Sequence, residues 1–552
     1  MNWLASRFQQ RKLLPSDVAM NARKTASAAD GNVTAADSAS NVRPVAVIDI
    51  GTTLIRMAVA EIDPAGEIRR LETLSQAVNL GKDTFTTGEI RKSTIEDCVR
   101  VLRSYQRVLS EFRIESPSEI RVVATSAVRE ASNRLAFLDR IYVATGIEVE
   151  PIDEAEVNRI TYLGIQPLLQ AEEKLASAQT IVIEVGGGNT EVLIIRGEDV
   201  LFAHTYRLGS LRLRETLESY RAPLGQMRAI MESHIRRTVE QVAQHVDLGQ
   251  QRELIAIGGD VRSAASQLLP DWDPEHPGRL SIAELEGFTQ RVLSMSEDEL
   301  SRTYHLNFAD AETLGPALLA YVGLARGLQI DQLFVANVNL RDGLLQDVAS
   351  HGIWTEDFNN QIVRSAMELG RKFNFDEAHA LQVAELSQTL FRALAEEHQL
   401  DSRYELMLYV AALLHEIGLF ISSNSHHKHS MYLIRNSELF GLSETDVLLV
   451  SLVARYHRRA SPKPSHEGYS SLDRDRRVAV AKLGAILRLA DALDRSRSRR
   501  IHDIQCSRDE GRLIISAPHV DDLTLEQLAL KQKGTFFEEV FGMQAELRKA
   551  AD

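Results

Sequence analysis

Val45-Ala46-Val47-Ile48-Asp49-Ile50-Gly51-Thr52-Thr53 is a run of apolar β-formers that delivers one carboxylate and breaks at glycine and hydroxyl residues. The pattern returns in Thr180-Ile181-Val182-Ile183-Glu184-Val185-Gly186-Gly187-Gly188-Asn189-Thr190-Glu191-Val192. In both places a second apolar run, Leu54 to Ala60 and Val192 to Ile195, carries the chain back, so each stretch predicts a hairpin. Such a turn suits phosphate. Glycine lets backbone N–H groups approach an anion, hydroxyls add donors, and a carboxylate can hold a divalent cation. One glycine hairpin has a sufficient explanation in backbone conformation alone. Two acid-glycine-hydroxyl hairpins predict duplicated α/β units that face one another across a cleft. A third glycine turn follows a third apolar run, Leu254-Ile255-Ala256-Ile257-Gly258-Gly259-Asp260, in the strand, turn and helix order that favours anions.

Around these turns the sequence divides by texture. Residues 44–150 alternate strand and helix signals, with helices expected at 92–112 and 133–145 and a strand at 121–124. Residues 151–350 repeat the theme, with helices expected at 226–246 and 309–327. From 351 to 502 strand signals vanish and apolar residues recur at three and four, which predicts an all-α domain. Residues 503–552 read as a small closing module with a strand within 505–517. Residues 1–43 lack periodicity beyond a short Trp3-Leu4…Phe8 patch and are expected to form a disordered tail.

Composition narrows the function classes. A chain of 552 residues exceeds what one core serves, so roughly three to four compact units are expected. A net charge of −14 argues against broad nucleic-acid binding. Cys98 and Cys506 are too few for a disulfide framework or a cysteine metal site, which fits a reducing cytoplasm. No apolar run approaches the ~18 residues of a membrane helix, so no membrane partner is expected.

The stretches Asp49 to Thr53, Ala124-Thr125-Ser126-Ala127-Val128-Arg129-Glu130-Ala131, Arg159 to Gly164, Glu184 to Glu191, Leu208 to Leu213 and Leu340-Arg341-Asp342-Gly343-Leu344-Leu345 run in one order across the first 350 residues or so. In these the chain resembles the exopolyphosphatase and guanosine pentaphosphate phosphatase family (Ppx/GppA), in its long form with a C-terminal HD-like domain. The resemblance implies an α/β duplicated ribonuclease H-like catalytic half, of the actin, Hsp70 and sugar kinase superfamily. It also implies magnesium-dependent release of terminal phosphate from inorganic polyphosphate or guanosine pentaphosphate, and a homodimer. Carried over by position, Asp49 and Glu184 become the metal-organising acids, although the family usually has Asp at the second. Gly51, Thr52, Thr53, Gly186, Gly187, Gly188, Asn189 and Thr190 become the phosphate cradle, and Arg129 a phosphate clamp.

The base departs from the family pattern. Anchored on Arg159, the position of the family's catalytic glutamate is Val157, which cannot take a proton. Glu154 or Glu156 then serves in its place, or the chain is a binding protein for polyphosphate, guanosine tetraphosphate or a nucleotide that keeps the cradle without the base. Both acids also suit the first turn of a helix, where the dipole favours them. A sugar or acetate kinase is a third reading, on fold analogy alone.

In the helical part, His379, His415-Glu416 and Asp491 fall in the order of the metal ligands of HD phosphohydrolases, with Glu where those have Asp. Lys428, His429, Arg455, His457, Arg458, Arg459 and Lys463 form one basic concentration, and Arg495, Arg497, Arg499 and Arg500 another. Each is either a polyanion track or a solvated charged face.

Overall fold

The computed structural model describes residues 42–550, apart from 198, 220–223, 248, 351–355, 510 and 521. The tail expected over residues 1–43 therefore lies outside the described residues except at its end, where Arg43 already belongs to the first strand. Strands β1 (Arg43–Ile50), β2 (Leu54–Ile62), β3 (Ile68–Ala77), β4 (Ile120–Ala124) and β5 (Glu150–Pro151) form one sheet in the order β3-β2-β1-β4-β5. The β1–β2 and β2–β3 pairs are antiparallel, and β4 runs parallel to β1. Strands β6 (Gln179–Val185), β7 (Thr190–Arg196), β8 (Asp199–Tyr206), β9 (Arg252–Ile257), β10 (Gly278–Ser281) and β11 (Gln332–Val335) form a second, ordered β10-β11-β9-β6-β7-β8. Apart from the added edge strand β10, this repeats the topology of the first. The first 350 residues or so thus adopt the expected duplicated, actin-like ribonuclease H-like fold with mixed sheets.

The expected helices form at Lys92–Glu111, Arg134–Thr145, Leu224–Ala243 and Phe308–Gly327. Their ends follow local chemistry. Gly146 caps Arg134–Thr145 in the left-handed region, and Asn307 caps Phe308–Gly327 by accepting from the Asp310 N–H.

Packing joins residues on the two sides of position 150. The helices Glu154–Ala171 and Leu340–Ala349 both pack on the first sheet, where Val157, Ile160, Leu340, Leu344 and Leu345 join Val45, Val47, Ala58 and Ala60 in one apolar cluster. The two helices cross at glycines. A Cβ on Gly343 would overlap the Ile160 carbonyl oxygen, and one on Gly164 would sit 3.1 Å from the Gly343 nitrogen. This close crossing fixes the start of the helix Glu154–Ala171 beside the cleft.

The helical region comprises Glu356–Lys372, Glu377–Ala393, Arg403–Leu414, His426–Arg435, Glu444–Arg455 and Arg474–Leu493, with shorter turns between them. The closing module holds β12 (Gln505–Asp509), β13 (Arg512–Ala517) and β14 (Gln544–Lys549) with two helices, Thr524–Lys533 and Thr535–Phe541. One apolar core runs without a break from Val182, Leu193 and Ile255 of the second sheet, through the helical region, to Leu513 and Ile515 of β13. Among the described residues, no helix is long and apolar enough to cross a membrane.

Candidate active-site cleft

The two hairpins close in the same way. The Gly51 N–H donates to the Leu54 carbonyl at 3.0 Å, and the Gly186 N–H to the Asn189 carbonyl at 2.9 Å. Their turns meet: a Cβ on Gly187 would lie 3.1 Å from a Thr52 methyl, and one on Gly188 would overlap the Ser126 hydroxyl. Glycine is required here by approach rather than by φ. Among the described residues, the N–H groups of Thr52, Thr53, Gly187 and Gly188 donate no hydrogen bond within the protein, so four donors stay available at the junction. The third turn joins them: Gly258 takes φ +117°, and the helix Gly259–Leu268 opens towards the same space. The cleft between the turns has a volume of about 330 Å³.

Strand register sets the acids. In β1–β2, Asp49 pairs with Arg56, and in β6–β7, Glu184 pairs with Glu191, so each pair lies on one face of its sheet. Asp49, Glu184, Glu191 and Asp260 all line the cleft. Burial pushes the Asp49 carboxyl up, against the lowering pull of Arg56 and Arg341. Burial, reinforced by the charge of Asp49, likewise raises Glu184. Burial and the Glu184 charge push Glu191 up to about 8, and burial pushes Asp260 up to about 7. The arginines only partly answer this. Arg56 and Arg341 stand 3.7 and 3.8 Å from the same Asp49 oxygen, Oδ2, while Asp49 Oδ1 is buried and accepts no hydrogen bond among the described residues. The bare Asp49 oxygen is one ligand atom that a hard divalent cation fits, while among the described residues no three of the four carboxylates converge as a ligand set.

Most of the positions read from sequence come together here. Asp49, Gly51, Thr52, Thr53, Arg129, Glu154, Glu184, Gly186, Gly187, Gly188 and Asn189 line the cleft. Arg129 donates to the Ile152 carbonyl at 2.9 Å and to Glu154 at 3.3 Å. Asn189, with its amide turned to satisfy both neighbours, accepts from Arg129 at 3.3 Å and donates to the Gly188 carbonyl at 2.8 Å.

Two positions do not belong. Thr190 is fully buried and its hydroxyl donates to the Leu208 carbonyl, so it holds the hairpin rather than a ligand. Glu156 faces away from the cleft. It accepts from Arg159 at 2.7 and 2.8 Å and from Arg121 at 3.1 Å, and Arg159 also reaches Asp347 at 2.8 Å. Burial opposes the charge of Glu156, yet Arg159 and Arg121 hold its carboxyl below the usual range, the opposite of what a base near neutral pH needs. Val157, at the position of the family's base, does line the cleft.

Sequence reading assigned no role to Glu191, Asp260, Arg56, Arg262 or Arg341. Glu191 and Asp260 stand inside the quoted motifs, and Arg56 follows from the Asp49 hairpin register. In the helical region, the sequence-level basic tracks are partly spent. His457 is 2% exposed, and Arg497 is paired with Glu416 at 2.6 Å and with Asp376 at 3.0 Å.

The model of the Ppx/GppA phosphatase family matches residues 58–351, and that of Ppx/GppA phosphatase domain III matches residues 363–533. An exopolyphosphatase from Cytophaga hutchinsonii is similar in structure, with 20% identity over 56% of this chain and 98% of that one and a TM-score of 0.50. The Ppx/GppA family member of Aquifex aeolicus matches at 22% identity over 57% of this chain and 100% of that one, with a TM-score of 0.46. The family match begins just after the first glycine turn and takes in the second and third, and with the second match it extends through the helical region: the chain belongs to the Ppx/GppA phosphatase family.

Proposed function

We propose that the cleft hydrolyses a terminal phosphoanhydride bond, with inorganic polyphosphate and the 5′-γ-phosphate of guanosine pentaphosphate as its candidate substrates. The observation that carries this reading is that one cleft is lined both by Thr52, Thr53, Gly187 and Gly188, whose N–H groups have no partner among the described residues, and by the carboxylates of Asp49, Glu184, Glu191 and Asp260. Membership of a phosphatase family supports phosphohydrolase chemistry.

In this reading Asp49 and Glu184 hold Mg²⁺, which when bound neutralises phosphate charge. The N–H groups of Thr52, Thr53, Gly187 and Gly188 hold the terminal phosphate, and Arg129 clamps it with a planar fork positioned by Glu154 and Asn189. Glu191 is the acid left to orient the attacking water, since Glu156 faces away and Val157 is apolar. Water forms a new P–O bond in line with the leaving oxygen, the bond to the bridging oxygen breaks, and the water proton passes to the carboxylate. The products are inorganic phosphate and a chain shorter by one phosphate.

A second reading is favoured by Val157 itself: a protein that binds polyphosphate or a guanosine polyphosphate without turnover. Phosphate release from both substrates in parallel, with magnesium, separates the two. Turnover that is lost in Asp49→Asn supports the hydrolase. Saturable binding with no release makes the protein a sensor, and neither binding nor release overturns both. On the same family likeness we propose an HD-like identity for the helical region and a cytoplasmic homodimer, which sedimentation of the full chain tests.

A further inference from the structure

The stretch Leu208-Gly209-Ser210-Leu211-Arg212-Leu213 packs directly against the second glycine turn. A Cβ on Gly209 would overlap the Gly187 carbonyl oxygen and the Gly188 carbonyl carbon, so the two segments touch backbone to backbone. The helix Ser210–Ser219 begins at this contact.

Its first residues hold three successive carbonyls of the turn. The Gly186 carbonyl accepts from the Ser210 N–H at 2.9 Å, and the Gly187 carbonyl from the Arg212 N–H at 2.9 Å. The Gly188 carbonyl accepts from Arg212 Nε at 2.7 Å and from the Asn189 amide at 2.8 Å. A trans peptide is planar, with its N–H opposite its C=O. Because these carbonyls are drawn towards residues 210–212, the N–H groups of the same peptides, those of Gly187, Gly188 and Asn189, point away from them, and all three residues line the cleft. None of the three N–H groups donates a hydrogen bond among the described residues. The backbone of the helix holds the first two peptides. The third, which carries the Asn189 N–H, is held by side chains.

The Arg212 fork is itself fixed. Beside the bond from Nε, its Nη2 donates to Glu130 Oε1 at 2.6 Å, and its guanidinium carbon lies 4.0 Å from the centre of the Phe85 ring. The side chain is only 16% exposed. Burial opposes the charge of Glu130, yet Arg212 and Arg207 hold its carboxyl below the usual range, so the pair stays ionised at neutral pH. Glu130 directly follows Arg129 in the helix Ser126–Glu130, and Phe85 belongs to the helix Leu80–Thr87. One side chain of the second α/β unit thus ties its glycine turn to the helix of the first unit that carries Arg129. Arg212 is not itself among the residues that line the cleft.

We propose that Arg212 is a positioning residue for the phosphate cradle: through the Gly188 carbonyl it aims the Asn189 N–H into the cleft, and through Glu130 it sets the spacing between that turn and Arg129. The inference rests on the reading of the cleft as a phosphate site.

The test uses the full-length protein with Mg²⁺ and reads two quantities: the calorimetric Kd of the non-hydrolysable probe methylenediphosphonate, and kcat and KM for phosphate release from tripolyphosphate. Arg212→Met keeps an apolar stem on Phe85 and removes the donors. Its expected effect is about tenfold weaker probe binding and a kcat/KM lower by about 10²-fold, the scale on which a displacement of about 1 Å acts. Arg212→Lys keeps the charge but reaches only one of the two partners, and recovers part of both losses. A residue that merely held the fold would lower the folded fraction and leave the Kd of the folded molecules unmoved, so an unchanged Kd in Arg212→Met overturns the proposal. Glu130→Ala separates positioning from plain charge. Removing a carboxylate near an anion tightens binding by Coulomb's law, whereas freeing the Arg212 fork weakens it. The expected result is weaker probe binding, and tighter binding overturns the proposal. Should Arg212→Met fail to fold, Arg212→Lys and Glu130→Ala decide by the same readings, and a wild type that binds without turnover leaves the decision to Kd alone. Wild-type protein that neither binds the probe nor releases phosphate overturns the reading of the cleft and this inference with it; wild-type binding that every variant retains overturns the inference alone.

Discussion

Val157→Glu restores a carboxylate where the family places its base, and the structure sets both its cost and its gain. Val157 is 8% exposed, with one side in the apolar cluster of Val45, Val47 and Ile160 and the other on the cleft. Enclosing a carboxylate there costs about 1–3 kcal/mol, offset by about 0.3–1 kcal/mol from its place in the first turns of the helix that starts at Glu154. A net loss of about 1–2 kcal/mol lowers the melting temperature by a few degrees and leaves the protein folded. The kinetic gain is larger. Burial and the Glu184 charge push Glu191 up to about 8, so an acid at 157, where the family has its base, adds a second carboxylate to orient the water. A positioned general base contributes about 10²–10⁴-fold, or roughly 3–5 kcal/mol of barrier. The assay is the initial rate of phosphate release from saturating polyphosphate with magnesium, run on wild type, Val157→Glu, Glu191→Gln and the double variant. The expected outcome is a rise of about 10²-fold in kcat for Val157→Glu and a smaller effect of Glu191→Gln in its presence, because the two acids share one water. A folded, ligand-binding Val157→Glu with unchanged kcat would refute the reasoning, as would effects that simply add.

Other consequences follow from the same geometry. Because the folded state raises Glu191 from 4.5 to about 8 and Asp260 from 3.8 to about 7, it holds their protons more tightly than the unfolded chain. This contribution to stability is complete below about pH 4 and is lost as pH rises through 7 and 8. Thermal melts with and without Mg²⁺ should therefore show a larger stabilisation by the ion at pH 8 than at pH 6, and an equal effect at both would remove these acids from its neighbourhood. Glu156→Gln should lower stability by about 1–3 kcal/mol in urea unfolding, since Arg159 loses its ionised partner, while kcat per folded molecule stays put; a collapse of kcat at full stability would return Glu156 to the chemistry. Gly343→Ala forces a carbon into the Ile160 carbonyl and should cost about 2–4 kcal/mol, read from the denaturant midpoint; an unchanged midpoint would mean that the helix crossing is looser than described.

The two hairpins were legible because their pattern is local: apolar alternation, a glycine turn and the return strand all lie within 20 residues or so, a range over which sequence period reports structure. The choice between Glu154 and Glu156 needed the helix phase. Glu154 and Val157 are three apart and share a face towards the cleft, whereas Glu156 is turned to Arg159 and Asp347. That phase was implicit in the spacing, yet which face meets the cleft depends on Asp347, almost 200 residues away, and no local pattern encodes it. Arg341 illustrates the same limit: it reaches Asp49 only because the helix Leu340–Ala349 returns to the first sheet. The packing of helices beyond residue 150 on the first sheet has the same origin, since texture along the chain marks where elements change and not where they pack. Thr190 looked like its neighbours in the glycine turn, but a strand position opposite Val185 turned its hydroxyl inward.

The return of residues 340–349 to the first sheet also orders the protein's birth. While the ribosome is still making the second sheet, Val45, Val47, Ala58 and Ala60 have been synthesised and the leucines that cover them in the finished fold have not. Leu340, Leu344 and Leu345 contribute about 1.5–3 kcal/mol each when they arrive. The N-terminal half thus waits, with an apolar face open, for nearly 300 further residues to emerge. A nascent chain in that interval is the form of this protein most exposed to aggregation and most in need of a chaperone.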